Sequence, residues 1–439
     1  MKRLVITFAL VVAILGAVVA TGNAQTVLTG NTDGGAFFKI VVPAVWNGDL
    51  VIWNHGYSFN PIGPVSDLGP LNALQLSEGY AVAASSYQQN NWAVFKTKND
   101  LQNMVNVFKA NFGTPNHVLV NGASLGGIVT AQAIEKANIG NVVGAFPFCG
   151  AVAGSRNWDG GIDLRLLYDV VCGGVPGGAI PGGPEGLPVG FPPFPAGVGA
   201  ILTAVNTCTG ASTPAAFRTP AQAARLAQLL GISQVPNTSF LNQDMIFVTY
   251  GLSDLIHNPN KLGNSNDSCT GAGTPTACCT GLGTGTCWQG VGNANVNYDG
   301  GGFFDTNIQR VTPNAGAANR VEKNYTPSGN VGGVKIVSIH TDKDGLVVVE
   351  NEDSYRDVVS AGNLSTAIAI EATPSHCGFT SSEVAAGWES LRAWVGGGPQ
   401  PTATDIQNTC LFISGFNPTQ CRINPAYVIP NIDNRILPR

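Results

Sequence analysis

The sequence predicts an α/β protein with a mostly parallel β-sheet flanked by helices. Two patterns predict this class: strand-like runs alternate with helical runs over residues 35–150, and the alternation returns over residues 334–395. The 439 residues are 44% hydrophobic, which is enough for a large core, and 56 glycines and 27 prolines stay below the level typical of disordered chains. We therefore expect a folded α/β domain interrupted by an insertion.

The first group of elements, residues 35–148, begins the sheet. Strands are expected at residues 35–43, 48–53, 79–86, 117–121 and 141–148, because these short apolar runs end at turn residues. Helices are expected at residues 67–78, at 94–112 and, directly after a glycine-rich turn, up to residue 136. Strands that alternate with helices indicate βαβ units, in which the strands run parallel.

The alternation breaks off over residues 150–333. Residues 173–199 contain 10 glycines and 7 prolines, which leaves too few backbone donors in regular geometry to extend a sheet. One helix is expected, with Thr219 as its N-cap, Pro220 in its first turn and Gly231 at its end. A structureless stretch of this length is implausible inside a compact sheet, so we interpret the segment as an inserted cap or lid.

The alternation resumes at residue 334. Strands are expected at residues 334–341 and 366–371, and helices at 350–359 and 381–395. The remaining residues form a tail that Cys410 and Cys421 are expected to pin. The expected organisation is a signal peptide (1–24), a first core part (25–149), the insertion (150–333), a second core part (334–395) and the tail (396–439).

The N-terminus has the three-part layout of a secretory signal peptide. Lys2 and Arg3 form a positive head, residues 4–20 are an uninterrupted apolar run, and Gly22 and Ala24 fit a cleavage site after Ala24. The alternative is an uncleaved anchor, because 17 apolar residues are near the lower limit for a membrane span. We expect cleavage and export, to the outside or to the periplasm, with no stable membrane span afterwards.

Cysteine usage supports export. In an oxidising compartment the ten cysteines predict up to five disulfides, with Cys410–Cys421 and pairs within residues 269–287 as local candidates. The alternative is a zinc site, but residues 269–287 have no CxxC spacing and no histidine. The cysteines are at positions 149, 172, 208, 269, 278, 279, 287, 377, 410 and 421.

Charge and motifs argue against several function classes. The formal net charge is −5, only 11% of residues are charged, and no basic run occurs, so nucleic-acid binding through phosphate neutralisation is not expected. The sequence contains no HExxH motif, no Walker loop and no GxGxxG between a strand and a helix. We therefore expect no metal and no organic cofactor.

The pentapeptide GASLG at residues 122–126 is the strongest candidate motif. A G-x-S-x-G match alone is weak, but this one lies between an expected strand and an expected helix. That context is typical of a nucleophile elbow, in which a sharp turn lifts Ser124 above the sheet. The Leu125 N–H, at the start of the helix, can then face a developing oxyanion. The alternative is a glycine-rich turn with a capping serine.

The general base is expected at His376. In folds with a nucleophile elbow the serine, acid and histidine follow one another along the chain, and of five histidines only His376 follows every acid candidate. The alternative is an ordinary surface histidine. For the acid, Asp344 is favoured because Gly345 and two apolar residues follow it, as on a tight loop after a strand. Asp342 stays the alternative.

A second oxyanion donor is expected after the strand at residues 48–53. Gly56 allows the backbone to turn its amides toward Ser124, and the N–H of Tyr57 is the expected donor, with Gly56 as its neighbour. His55 is then a structural residue.

Four segments together resemble the α/β-hydrolase superfamily: HGY at 55–57, GASLG at 122–126, DGLV at 344–347 and HCGF at 376–379. The resemblance covers residues 35–150 and 334–395. It implies an eight-stranded, mostly parallel sheet, a triad of Ser124, His376 and Asp344, and a cap between strands six and seven, where residues 150–333 fall. Secreted esterases, lipases and polyester depolymerases are the members that it resembles most.

The His-Cys pair at 376–377 is also similar to tannases and feruloyl esterases, in which a cysteine beside the histidine bridges to one beside the serine. This sequence departs from them, because residue 123 is alanine. Pairing of Cys377 with Cys149, which ends the strand after the elbow helix, is a hypothesis that takes the place of that bridge.

The sequence thus predicts a secreted serine hydrolase that cleaves carboxylic esters through an acyl-enzyme. The alternatives are a secreted peptidase with the same triad, a non-catalytic binding protein on a hydrolase scaffold, and a disulfide-rich structural surface protein. Apolar residues of the insertion favour an apolar acyl or aromatic substrate, unless they form only the core of the cap: Phe191, Phe194, Phe240, Leu252 and Leu255.

Overall fold

A computed structural model describes residues 25–183, 186–188, 190–257, 293, 296–311, 323–324 and 326–432. The expected signal peptide and the four cysteines within residues 269–287 lie outside these ranges. Within the described ranges, no helix combines the length and the apolar character needed to cross a membrane.

An eight-stranded sheet forms the centre of the protein. Its strands are β1 (Thr26–Asn31), β2 (Phe37–Val42), β3 (Leu50–Asn54), β4 (Ala81–Ser85), β5 (Val118–Ala123), β6 (Val142–Phe148), β7 (Lys335–Thr341) and β8 (Leu364–Ala369). Their order across the sheet is β1-β2-β4-β3-β5-β6-β7-β8. β2 pairs antiparallel with β1 and β4, and all the other pairs are parallel. The mostly parallel sheet of the α/β-hydrolase fold is therefore confirmed.

Helices cover both faces of this sheet. The described α-helices are α1 (Asn72–Ser77), α2 (Thr97–Phe112), α3 (Leu125–Lys136), α4 (Arg156–Cys172), α5 (Val198–Thr209), α6 (Pro220–Ser233), α7 (Thr238–His257), α8 (Phe303–Asn307), α9 (Asn351–Val358), α10 (Ser381–Val395) and α11 (Ala403–Ile413). Helices α2 and α3 pack in the apolar cluster on one face, and α10 and α11 pack in the cluster on the other. The predicted helical flanks are confirmed.

Strand β3 shows why two helical layers are needed. Its residues are all buried, with Leu50 and Ile52 in one apolar cluster and Val51 and Trp53 in the other. Successive side chains of a strand point to opposite faces, so a strand that is apolar along its whole length must be covered on both sides. This burial holds the end of β3 and the loop that follows it in one place.

Five of the described α-helices, α4 to α8, lie in the chain between β6 and β7. The sequence predicted α6, and Thr219 begins it with a capping box: its hydroxyl accepts the Gln222 N–H, and its own N–H donates to Gln222 Oε1. The others were not predicted. Two adjacent glycines at 160–161 lower the helix propensity of α4, but its packing against α6 and α7 stabilises it.

Three disulfides join the described cysteines. Their Cα–Cα distances are 5.3 Å for Cys149–Cys377, 5.6 Å for Cys172–Cys208 and 5.6 Å for Cys410–Cys421. The last one is the local pair that the sequence predicted. The second one joins α4 to α5 and was not predicted. The first one lies next to the candidate site.

Candidate active site

Ser124 occupies a sharp turn between β5 and α3. Its backbone has φ 56° and ψ −123°, a left-handed conformation that is costly for a residue with a side chain. The turn is close-packed, because a Cβ at Gly126 would overlap the carbonyl oxygen of Asn54, and one at Gly122 would overlap the carbonyl of Gly126. Glycine is therefore required at both positions, and together they hold the serine in this strained turn.

Ser124, His376 and Asp344 form one chain of hydrogen bonds. The hydroxyl oxygen of Ser124 lies 2.9 Å from Nε2 of His376. On the other side of the ring, Nδ1 lies 2.8 Å from Oδ2 and 3.0 Å from Oδ1 of Asp344. With the ring proton on Nδ1 donated to the carboxylate, Nε2 is free to accept the serine proton. The structure thus brings together three residues that are up to 252 positions apart.

Asp344 is held on a tight loop after β7. Its side chain is buried, and its carboxylate accepts the backbone N–H groups of Leu346, Val347 and Cys377, each at 3.0 Å. Burial alone would raise the pKa of Asp344, but the charge and the hydrogen bond of His376, together with the charge of His340 and the Cys377 N–H, more than offset it, so the pKa lies below its usual value. The carboxylate therefore stays ionised and can stabilise a positive imidazole.

Asp342, the alternative acid, has a different partner. Its Oδ1 accepts the backbone N–H of Glu371 at 2.7 Å and ties the loop after β7 to the end of β8. The structure places Asp344 beside His376, and Asp342 in a structural hydrogen bond.

The Cys149–Cys377 disulfide joins the two sides of the site. Cys149 follows Phe148, whose carbonyl accepts the Ser124 N–H at 3.3 Å, and Cys377 follows His376 directly. Both cysteines have positive φ, 43° and 54°. The bond that the sequence left as a hypothesis therefore links the loop that carries the histidine to the strand beside the serine.

The loop after β3 passes directly against the serine. A Cβ at Gly56 would lie 3.5 Å from the Cβ of Ser124, and Tyr57 follows at once. Leu125 is the first residue of α3, so its N–H belongs to the positive end of the helix. Tyr57, Leu125 and Ser124 all line the same cavity. The two residues that are expected to supply the oxyanion donors thus line the same cavity as Ser124.

Three of the other four histidines have structural partners. Nδ1 of His55 lies 2.7 Å from the Gly56 carbonyl, its ring stacks on Tyr87, and burial lowers its pKa. His117 is exposed and bonds Asp49. His340 is fully buried and contacts Glu352. The side chain of His257 lies outside the described atoms.

A cavity of about 380 Å³ opens from Ser124 into the segment between β6 and β7. Its size lies within the range of small-molecule sites. Apolar and aromatic side chains of the core and of the segment form much of its wall: Tyr57, Trp92, Trp158, Leu164, Leu167, Phe247, Val248, Leu346 and Val347. Burial raises the pKa of the Tyr57 phenol well above its usual value, so Tyr57 is neutral.

The five apolar residues that the sequence singled out in the insertion are not among the described residues that line this cavity. Phe240, Leu252 and Leu255 are buried, which fits the alternative that they belong to a core rather than to a substrate site. Trp158 and Leu164 were missed because they lie on α4, which was not predicted. Residues 162–168 of α4 are all buried, so the helix carries no 3.6-residue apolar pattern that could have found them.

No family model and no curated protein matches the chain. Solved structures that resemble it include an esterase of Pyrococcus furiosus (11% identity, TM-score 0.35, covering 81% of this chain and 84% of that one). A rice cell-wall-degrading esterase of Xanthomonas oryzae has 12% identity and a TM-score of 0.36, and the match covers 84% of this chain and 87% of that one. An esterase of a Rhodococcus species has 12% identity and a TM-score of 0.39, and the match covers 84% of this chain and 98% of that one. Identity this low transfers no residue role to this chain.

Proposed function

We propose that the protein is a secreted serine hydrolase that cleaves carboxylic esters through an acyl-enzyme. The observation that carries the proposal is the hydrogen-bonded order Ser124–His376–Asp344, with Ser124 Oγ 2.9 Å from His376 Nε2 and Ser124 in the wall of a cavity. A nucleophile, a base within hydrogen-bond reach and a group that orients the base are the parts that nucleophilic catalysis needs.

Acylation begins when His376 Nε2 takes the hydroxyl proton of Ser124. The serine oxygen attacks the ester carbonyl, and the buried carboxylate of Asp344 stabilises the imidazolium that forms. The backbone N–H groups of Leu125 and Tyr57 stabilise the negative oxygen of the tetrahedral intermediate, and each such donor typically contributes about 3–4 kcal/mol. The imidazolium then protonates the leaving alcohol.

Deacylation uses the same groups in the reverse order. His376 removes a proton from a water molecule, which attacks the acyl-serine, and the second tetrahedral intermediate occupies the same two N–H donors. Collapse of that intermediate returns the proton to Ser124 and releases the acid. Water is the only co-reactant that the reaction requires.

The cavity favours an apolar acyl or aromatic substrate. Trp92, Trp158 and Phe247 contribute ring surfaces, and Leu164 and Leu167 contribute aliphatic ones. An apolar substrate group that fills this cavity is stabilised by about 25 cal/mol for each Å² of apolar surface that it removes from water. In this proposal the segment between β6 and β7 acts as a cap, because α4, α6 and α7 all supply residues to the wall.

Export through the expected signal peptide completes the proposal. Three disulfides among the described cysteines are typical of an oxidising compartment. N-terminal sequencing of the protein recovered outside the cytoplasm tests this part: the expected first residue is Gln25. A chain that still carries residues 1–24 would contradict cleavage.

The central test compares Ser124→Ala with Ser360→Ala, an exposed serine outside the site, on p-nitrophenyl butyrate. Loss of the nucleophile should lower kcat by about 10⁶, whereas the control should keep wild-type activity. Wild-type activity in Ser124→Ala would overturn the proposal. Hydrolysis of a peptide p-nitroanilide that is lost in Ser124→Ala would indicate a peptidase, and folded wild type with no turnover and no fluorophosphonate label would indicate a binding protein.

A further inference from the structure

A buried polar cluster lies beneath the loop that holds Asp344. Ser338 and His340 are on β7, Glu352 is on α9, and none of the three side chains has any exposed surface. The proposed reaction uses none of them. Burial of three polar groups, one of them a carboxylate, has a desolvation cost that apolar side chains in the same places would avoid. The cluster therefore needs a reason beyond packing.

The proton positions of His340 follow from its partners. Nε2 lies 2.7 Å from the carbonyl oxygen of Val347, and because a carbonyl only accepts, Nε2 must carry a proton. Nδ1 lies 3.2 Å from Oε1 of Glu352. Burial acts to lower the pKa of His340, but the hydrogen bond and the charge of Glu352 more than offset it, and the pKa lies above its usual value.

Glu352 is in turn held in place. The hydroxyl of Ser338 donates to the same Oε1 at 2.7 Å, so this oxygen is fixed by two partners from β7. Because β7 is paired with a strand on each side, β6 and β8, the backbone that carries His340 is held in the sheet, and Glu352 holds the imidazole at Nδ1. Its Nε2–H is consequently a donor with a fixed direction.

The bond to Val347 connects this cluster to the triad. The carbonyl of Val347 accepts from His340, and the N–H of the same residue donates to Oδ1 of Asp344 at 3.0 Å. A residue bonded through both its C=O and its N–H cannot rotate without loss of one of the two bonds. We propose that His340, oriented by Glu352, is a positioning residue that fixes the 344–347 loop and so holds the Asp344 carboxylate against His376.

This inference rests on the proposed function, because it assigns a role in the same triad. The competing explanation is that His340 and Glu352 only fill space and stabilise β7 and α9. The two explanations differ in one respect: positioning requires the bond from residue 340 to the Val347 carbonyl, whereas a stabilising pair requires only the contact between residues 340 and 352.

Two nearly isosteric double variants separate these explanations. In His340→Gln with Glu352→Gln, the glutamine amide can occupy the place of Nε2 and still donate to the Val347 carbonyl. In His340→Asn with Glu352→Gln, the shorter amide occupies the place of Nδ1. It keeps a hydrogen-bond partner at position 352 but no longer reaches the carbonyl of Val347. Both pairs are uncharged, so they also differ equally from the wild type in local charge.

We expect the two double variants to differ in kcat. The asparagine variant should lose about 100-fold in kcat on p-nitrophenyl butyrate with little change in KM, as expected when a catalytic group is displaced by about 1 Å. The glutamine variant should recover most of that loss. Thr97→Val with Gln132→Leu removes a buried hydrogen-bonded pair between α2 and α3 and serves as the control for general loss of buried polarity.

Equal kcat in the asparagine and glutamine variants would overturn the proposal. A measurement on the wild type keeps the test independent of variant folding: the ¹⁵N shifts of labelled His340 should show a proton on Nε2 at every pH at which the enzyme is active. A deprotonated Nε2 in the active enzyme would also overturn it. Failure of the proposed function looks different, because the wild type would then not hydrolyse the ester through Ser124 at all.

Discussion

Asp344→Asn replaces one oxygen of the proposed triad by an NH₂ group and removes one charge. The carboxylate is fully buried and accepts the Nδ1–H of His376 together with the backbone N–H groups of Leu346, Val347 and Cys377. An asparagine offers one acceptor oxygen and one amide donor group. It can therefore satisfy only part of this set.

The side chain must choose between two orientations. With its oxygen at the Oδ1 position, it accepts from Leu346 and Val347, and its NH₂ points at Nδ1 of His376 and at the Cys377 N–H. With its oxygen at the Oδ2 position, it accepts from Cys377 and His376, but its NH₂ then faces two backbone donors. The first orientation leaves one clash between donors and the second leaves two, so the first is favoured.

In the favoured orientation the amide donates to Nδ1 of His376 and forces the ring proton onto Nε2. Nε2 then cannot accept the proton of Ser124, and no carboxylate is present to stabilise an imidazolium. The same exchange of tautomers in serine-protease triads lowers kcat by about 10⁴, which corresponds to about 5.4 kcal/mol of activation free energy. We expect a loss of that size here.

Steady-state hydrolysis of p-nitrophenyl butyrate measures this loss, with thermal unfolding to verify that the variant is folded. Asp342→Asn is the matched control, because its carboxylate bonds the backbone of Glu371 and not His376. The control should keep kcat within a few-fold. A folded Asp344→Asn variant with kcat within tenfold of the wild type, or an equal loss in Asp342→Asn, would refute the reasoning.

Three further predictions concern stability and the disulfide. Burial and then the neighbouring Glu389 raise the pKa of Glu78 from 4.5 to about 7, so the native state binds this proton more tightly than the unfolded chain and the free energy of unfolding should fall as pH rises between these values. Glu78→Gln should flatten that fall in urea titrations, and an unchanged slope would contradict the assignment. Removal of Cys149–Cys377 or of Cys172–Cys208 by paired Cys→Ala changes should lower the free energy of unfolding by about 2–5 kcal/mol. Loss of Cys149–Cys377 should also lower kcat, whereas loss of Cys172–Cys208 should lower kcat much less, and equal losses would contradict a role of the first bond in holding His376. Gly126→Ala should strongly destabilise the protein in thermal unfolding, because its Cβ overlaps the Asn54 carbonyl, whereas Gly199→Ala on α5 has open space and should stabilise it by up to about 1 kcal/mol. A Gly126→Ala protein as stable as wild type would show that the elbow is less tightly packed than described.

The core of the fold could be predicted from short-range patterns. Strands β2 to β8 are apolar runs that end at turn residues, and the structure confirms each of them within a few positions. Strand β1 was missed because its residues, TVLTGN, include a glycine and several polar side chains. It forms an exposed edge, where the apolar pattern that marks buried strands is not needed.

The site could be predicted to the level of residues but not of contacts. Spacing and context selected Ser124, Asp344 and His376, and the structure places them within hydrogen-bond distance, while their catalytic roles stay predictions. The bond from His340 to Val347 had no sequence signal, because it depends on how the loop after β7 folds back over the strand. The tail helix α11 and helix α4 were likewise missed, since tertiary packing stabilises them.

The most direct measurement is the site of the covalent intermediate. Wild-type protein treated with a fluorophosphonate, or quenched in acid during turnover of a slow p-nitrophenyl ester, should carry one adduct in its intact mass. Peptide mapping should place that adduct on Ser124, and Ser124→Ala should carry none. An adduct on a different residue, or ester hydrolysis that continues in Ser124→Ala, would contradict the central claim.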